Sequence, residues 1–197
     1  KNTIKDFSFI TPILKSISNY LGRKLRILDY GANWGYGAFQ FQKLDFVEIV
    51  KSYELSLPRR NFGETRLGIE YIDEPPEKDM RFDLLFSSHV IEHMHNPLKI
   101  RDWMLDSLKD DGITLITCPN GSDQAKLNRN WSKGWGEVHP NYISDEFLCK
   151  NFSDFAGGVF DESLLIEKDI AEKLCNKEMH STLTVSPSLW FIAQKVN

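Results

Sequence analysis

The sequence is poor in cysteine, carries no surplus of positive charge and contains no long apolar run, and each shortage excludes something. Its cysteines number three, Cys118, Cys149 and Cys175, an odd count at wide spacing with no C-x-x-C pair. That usage fits a reducing compartment and argues against a disulfide scaffold. Lys and Arg total 24 against 28 Asp and Glu, a formal net charge of -4, so nothing advertises a DNA or RNA backbone as partner,. Runs such as Leu84-Leu85-Phe86 fall far short of the roughly 18 residues needed to cross a bilayer, and no charged-then-apolar leader opens the sequence. The expected setting is cytoplasmic, with no membrane span and no nucleic acid. Repeats and low-complexity tracts are also missing. What remains is 197 residues with 41% hydrophobic and 26% charged side chains, the balance of one soluble globular domain covering residues 1–197,.

Hydrophobic periodicity sets the order of elements. Phe7, Ile10, Ile13, Leu14, Ile17 and Leu21 recur at helical intervals, so residues 1–21 form a leading helical segment that Pro12 divides. Short apolar strands then alternate with helices: strands over 25–30, 46–53, 67–72 and 82–87, a helix over 37–44 and a short one within 55–63. Asn96 and Pro97 open a further helix that Asp111-Gly112 stops, and 113–118 is a β-branched strand,. Strands joined through helices demand right-handed crossovers and a sheet covered on both faces. The tail instead offers two strands, 159–166 and 189–196, without a strong helix between them. The fold expected is α/β, a Rossmann-like three-layer sandwich. Its sheet is seven-stranded and mostly parallel, with an antiparallel C-terminal edge hairpin.

The first strand runs into its helix through Asp29-Tyr30-Gly31-Ala32-Asn33-Trp34-Gly35-Tyr36-Gly37. At the carboxyl end of a strand, such a turn lets a ligand approach the backbone, and amides opening the next helix favour an anionic group. A nicotinamide dinucleotide turn needs glycine at 31, 33 and 36, but Asn33 and Tyr36 stand there,. The segment resembles the D-x-G-x-G-x-G nucleotide turn of class I S-adenosylmethionine-dependent methyltransferases, with Asp29, Gly31 and Gly35 matched and Asn33 replacing the middle glycine. Asn is the next best residue for a left-handed backbone. Glu54, ending the second strand, is a carboxylate able to accept both hydroxyls of a ribose, and the resemblance makes it the ribose-binding acid. Asp73 falls where the family holds adenine, and is equally a loop cap. The cofactor implied is S-adenosyl-L-methionine.

A second signal is Ser88-His89-Val90-Ile91-Glu92-His93. His89, Glu92 and His93 satisfy H-x-x-E-H, in which two histidines a helical turn apart share zinc, though His89 follows a strand directly. The same stretch resembles the post-strand segment of methyltransferases acting on sugars, lipids and quinones, which adds Ser88 to the implied cofactor-binding residues. It can also be a plain structural turn. Residues 121–140 then form a long insertion with Trp131, Trp135, Glu137 and His139. Its length suits a substrate lid, and the two tryptophans suit either an acceptor platform or anchorage to the core. Its second half resembles the family's step into the next helix, with His139 or a neighbour in the histidine place.

The function implied is an S-adenosylmethionine-dependent methyltransferase, most simply O-methylating a small-molecule or glycan acceptor. His139 or His93 would be the base, with His89 lining the pocket. The alternatives are an inactive S-adenosylmethionine-binding module, suggested by Asn33, and a zinc hydrolase.

Overall fold

A computed structural model describes residues 6–127, 139–161, 174, 179–182 and 186–196. Pro12 divides the leading segment as expected: a 3₁₀ turn, Ser8–Ile10, hands over to helix α1 (Thr11–Leu21), which carries Pro12 in its first turn. Then follow β1 (Leu25–Tyr30), α2 (Tyr36–Phe41), β2 (Val47–Tyr53), α3 (Leu57–Phe62), β3 (Phe82–Ser88), α4 (Lys99–Ser107) and β4 (Leu108–Pro119). The remaining elements are α5 (Asp145–Asn151), β5 (Phe155–Phe160), β6 (His180–Ser181) and β7 (Ser188–Lys195).

The seven strands form one sheet in the order β2-β1-β3-β4-β7-β5-β6. β1, β2, β3 and β4 run parallel, and β7 inserts antiparallel between β4 and β5. The antiparallel tail pair is thus present as β5 and β7, but its first strand runs 155–160 where 159–166 was expected, residues 162–166 lie outside the described residues, and β6 adds parallel to β5 at the edge. Alternate strand residues serve opposite layers. Ile27, Leu84, Phe86, Ile113 and Leu115 pack with Ile13, Leu14 and Ile17 of α1, while Leu28, Leu85, Ile116 and Cys118 pack with Ile100 and Met104 of α4. Burying each such aliphatic side chain is worth roughly 1.5–3 kcal/mol. Among the described residues no helix is long and apolar enough to cross a membrane.

Two further elements differ from expectation. The strand expected over 67–72 is a single bridge, Ser52 to Tyr71, and Gly63–Leu67 is instead a π-helical turn prolonging α3. Gly68, at φ 67°, breaks the chain direction just before the bridge, and Pro75-Pro76, unable to donate to a ladder, end the segment,. The helix α4, in turn, stops at Ser107, before Asp111-Gly112. Residues 109–112 form a bulge in β4 instead, since Phe82 pairs with Leu108 but Leu84 with Ile113. The buried Asp83 anchors it, accepting Arg23 Nε at 2.7 Å, Lys109 Nζ at 2.9 Å and the Arg26 amide at 2.8 Å. That polar hub lies at the start of β3, the opposite end of the strand from the site described next.

Candidate active site

The carboxyl ends of β1, β2 and β3 meet at one edge of the sheet, where a cavity of about 720 Å³ opens. The turn after β1 passes through three left-handed residues in alternation: Gly31 (φ 77°), Asn33 (φ 56°) and Gly35 (φ 82°). Asn33 therefore takes the conformation for which it substitutes glycine. Gly31 is required twice over, because a Cβ there would stand 2.3 Å from a Val90 methyl carbon.

Two carboxylates hold this turn. Asp29, nearly buried, accepts the Ala38 amide at 3.1 Å. The anion expected at the start of α2 is thus supplied at least in part by the chain itself, through Asp29. Glu54 closes the turn from the other side. Its Oε2 accepts the Asn33 amide at 2.9 Å and its Oε1 the Ser56 amide at 2.8 Å, so one side chain ties the β1–α2 turn to the β2–α3 turn. An ionised carboxylate has about four lone-pair directions. With one amide on each oxygen, Glu54 on the cavity wall can still accept a pair of ligand hydroxyls. That spare capacity fits a ribose diol. Beside it Leu55 lines the cavity at 79% exposure, an apolar face open to a flat ring.

Asp73 is not brought to the cavity. It is exposed and ion-paired with Arg60 of α3, and that hydrogen bond holds its carboxyl below the usual range. Gly35 shapes the turn without lining the cavity, whereas Asp29, Gly31, Asn33, Glu54 and Ser88 all line it.

Other residues at the site carry little sequence signal. Phe7 reaches the cavity wall from the leading segment, its amide donating to Gln40 Oε1 at 3.0 Å and its ring edge-on to Phe41 and Phe86. In sequence it reads only as one apolar position of a helix. Tyr71 stands behind Gly35 in the space that Gly63 leaves, where a Cβ would come within 2.2 Å of its hydroxyl. Burial first, then the charges of Asp29 and Glu54, push its phenol up to about 12. Arg59 lies over the Trp34 ring at 5.9 Å, and both line the cavity.

The end of β3 builds the other wall. Ser88 and His89 line the cavity, and His89 sits at φ 56°, a conformation costing most L-residues roughly 1–2 kcal/mol,. One 3₁₀ turn, Ile91–His93, follows. The zinc-peptidase pattern needs a continuous helix through both histidines, and here His89 precedes the turn, so that arrangement is not formed. Instead Glu92 is fully buried, with His89 Nδ1 3.2 Å and His93 Nε2 3.9 Å from its Oε1.

His139 reaches His93 from far along the chain. The Gly121 amide donates to the Ile143 carbonyl at 2.8 Å, drawing together the two ends of the long insertion. Asn141 Nδ2 then donates to the carbonyls of Met94 at 2.6 Å and Glu92 at 3.2 Å. The result sets the His139 ring 4.6 Å from that of His93, centroid to centroid. Trp131, Trp135 and Glu137 lie outside the described residues.

Comparison with known proteins bears on this geometry. The model of a methyltransferase domain family matches residues 4–155. The chain is 23% identical over 156 residues to a tRNA U34 carboxymethyltransferase of Campylobacter jejuni, covering 74% of this chain and 53% of that protein. It therefore spans about half the length of the curated relatives it matches. Among solved structures it is similar to an S-adenosylmethionine-dependent methyltransferase of Mesorhizobium loti, with TM-score 0.61 and 17% identity over 96% of this chain and 99% of that one. A plantazolicin methyltransferase in complex with SAH gives TM-score 0.60 and 12% identity over 97% of this chain and 86% of that one. At such identities the likeness is one of fold.

Proposed function

The chain belongs to the methyltransferase domain family and its cofactor is S-adenosylmethionine, and on that footing we propose that it methylates a hydroxyl oxygen of a small-molecule or sugar acceptor. One observation carries the reading: a single cavity has Glu54 on one wall and His89 and His93 on another. Glu54 would take the ribose hydroxyls in charge-assisted hydrogen bonds, and Leu55 would cover the base. Asp29, Gly31, Asn33 and Gly35 shape the turn beneath, and Ser88 completes the wall.

When bound, the cofactor supplies a methyl carbon made electrophilic by its positively charged sulfur. The chain must hold the acceptor oxygen in line, which can be worth about 7–11 kcal/mol, keep water out, and receive the hydroxyl proton. Histidine suits that last task near neutral pH. His89 Nδ1 lies 3.2 Å from the Glu92 carboxylate, which would orient the ring and leave Nε2 to face the acceptor hydroxyl,. His93 and His139 are the other two candidates for the base.

A second reading is transfer to nucleic acid, favoured by the likeness to tRNA U34 carboxymethyltransferases. One experiment separates the two. Calorimetry with S-adenosylmethionine, S-adenosylhomocysteine and NAD is followed by transfer of labelled methyl to sugars, phenols, quinols and tRNA. Binding of the first two ligands only, with label recovered on a hydroxyl oxygen of a small acceptor, is the expected result. Label appearing only in tRNA, or only on nitrogen, overturns the proposed acceptor.

A further inference from the structure

Glu92 poses an electrostatic problem that the methyl-transfer reading leaves unsolved. Its side chain is fully buried, its Oε2 has no hydrogen-bond partner, and no Lys or Arg reaches it among the described residues. A buried carboxylate is tolerated when it is paired or coordinates a metal. The charged or chargeable groups within 4 Å of its Oε1, among the described residues, are imidazoles. One carboxylate oxygen of Glu92 and one ring nitrogen each of His93 and His139 lie within 4.8 Å of one another. His89 Nδ1, 3.2 Å from Oε1, is the kind of outer partner that orients a ligating carboxylate,.

From this cluster we infer that Glu92, His93 and His139 bind a divalent first-row transition-metal ion at the wall of the cavity. Two imidazole nitrogens and a carboxylate oxygen suit zinc, cobalt, manganese or iron, and three protein ligands leave positions open. The set differs from the local H-x-x-E-H pattern: His89 serves as support, and the third ligand comes from the far end of the insertion. The Asn141 amide, donating to the carbonyls of Glu92 and Met94, joins the two segments that bear the ligands. His93 lines the cavity, so an open position can take an acceptor hydroxyl oxygen and increase its acidity,. In that role the inference rests on the proposed transfer to oxygen, and His93 and His139 then act as ligands and not as bases. Binding of the ion itself does not depend on that reading.

The test is titration of the whole metal-stripped chain with Co²⁺, followed by its visible ligand-field absorption, with Zn²⁺ and Mg²⁺ as competitors. The expected result is one Co²⁺ per chain, displaced by Zn²⁺. H93A and H139A should each abolish the band, H89A should weaken binding by about tenfold or more, and H95A, which alters an exposed histidine outside the cluster, should leave it unchanged. Because E92Q changes a buried group and can impair folding, the two exposed or partly exposed histidines decide the matter. Absence of a band, or a band that survives both H93A and H139A, overturns the site. Parallel titration with S-adenosylhomocysteine keeps the two readings apart: nucleoside binding without cobalt sinks only the metal site, and cobalt without nucleoside sinks only the cofactor pocket.

Discussion

The side-chain amide of Asn141 donates to the main-chain carbonyl of Met94 at 2.6 Å, and so decides where His139 stands. N141A should leave S-adenosylhomocysteine affinity unchanged while lowering kcat about tenfold to a hundredfold, the scale on which misplacement of a reacting group acts. Steady-state kinetics and calorimetry on one preparation check both halves. A variant with normal kcat would show that His139 needs no such clamp.

Glu54 receives two amides and lies on the cavity wall. In E54Q one oxygen becomes an NH₂ group that cannot accept, and the charge is lost. Hydrogen bonds to charged groups are worth about 1.5–3 kcal/mol each, so affinity for S-adenosylhomocysteine should fall by roughly tenfold to a hundredfold. Calorimetric titration measures the change, and an unaltered affinity would remove Glu54 from the ribose site.

Gly31 faces Val90 closely and has φ 77°. G31A should destabilise the fold by about 1–2 kcal/mol from the left-handed backbone alone, with overpacking against Val90 added. The double variant G31A/V90A should recover the overpacking part and keep the backbone part. Urea midpoints of the three proteins test this, and equal loss in the single and double variants would deny the contact its importance.

Asn33, at φ 56°, predicts its own substitutions. N33G should keep both stability and cofactor binding, whereas N33V, β-branched in a left-handed conformation, should lose at least about 1–2 kcal/mol. Thermal melts settle it, and indifference to valine would mean that the turn can change its conformation.

Acid should weaken one ion pair in particular. The Arg23 guanidinium hydrogen-bonds Asp111 and holds its carboxyl below the usual range. With an unfolded value of about 3.9, the stabilisation is complete above that pH and is lost as pH falls through the lower folded value. The Asp111 side chain is 50% exposed, so the effect belongs in the surface range of about 0.2–1 kcal/mol. D111N should be slightly less stable than the parent at neutral pH and converge with it once the pH falls below the lowered folded value, as read from urea midpoints. A constant gap at both pH values would contradict the assignment.

The glycine turn and the place of Glu54 beside it were readable because each rests on local chemistry: a backbone path that only Gly or Asn takes easily, and an acid at a strand end. The layered sheet was readable because apolar side chains recur at strand and helix periods. The pairing of Asp73 with Arg60 was not readable, because Arg60 belongs to a helix whose orientation no local pattern encodes. His89, Glu92 and His93 looked like a helical metal motif because spacing alone does not reveal that the chain turns at φ 56° after β3. The pairing of His93 with His139 depends on Asn141 and the joined ends of the insertion, contacts between segments far apart in sequence. Tyr71 depends on the vacancy at Gly63, which becomes visible only once both are placed.

Glu54 also bears on dynamics, since the carboxylate proposed to take the ribose already staples two separate turns through the Asn33 and Ser56 amides. Under the proposed ribose contact, ligand capture and local stiffening become one thermodynamic event. Protons on those two nitrogens should exchange with deuterated solvent more slowly as the nucleoside saturates the chain, turning a pair of main-chain groups into built-in reporters of occupancy.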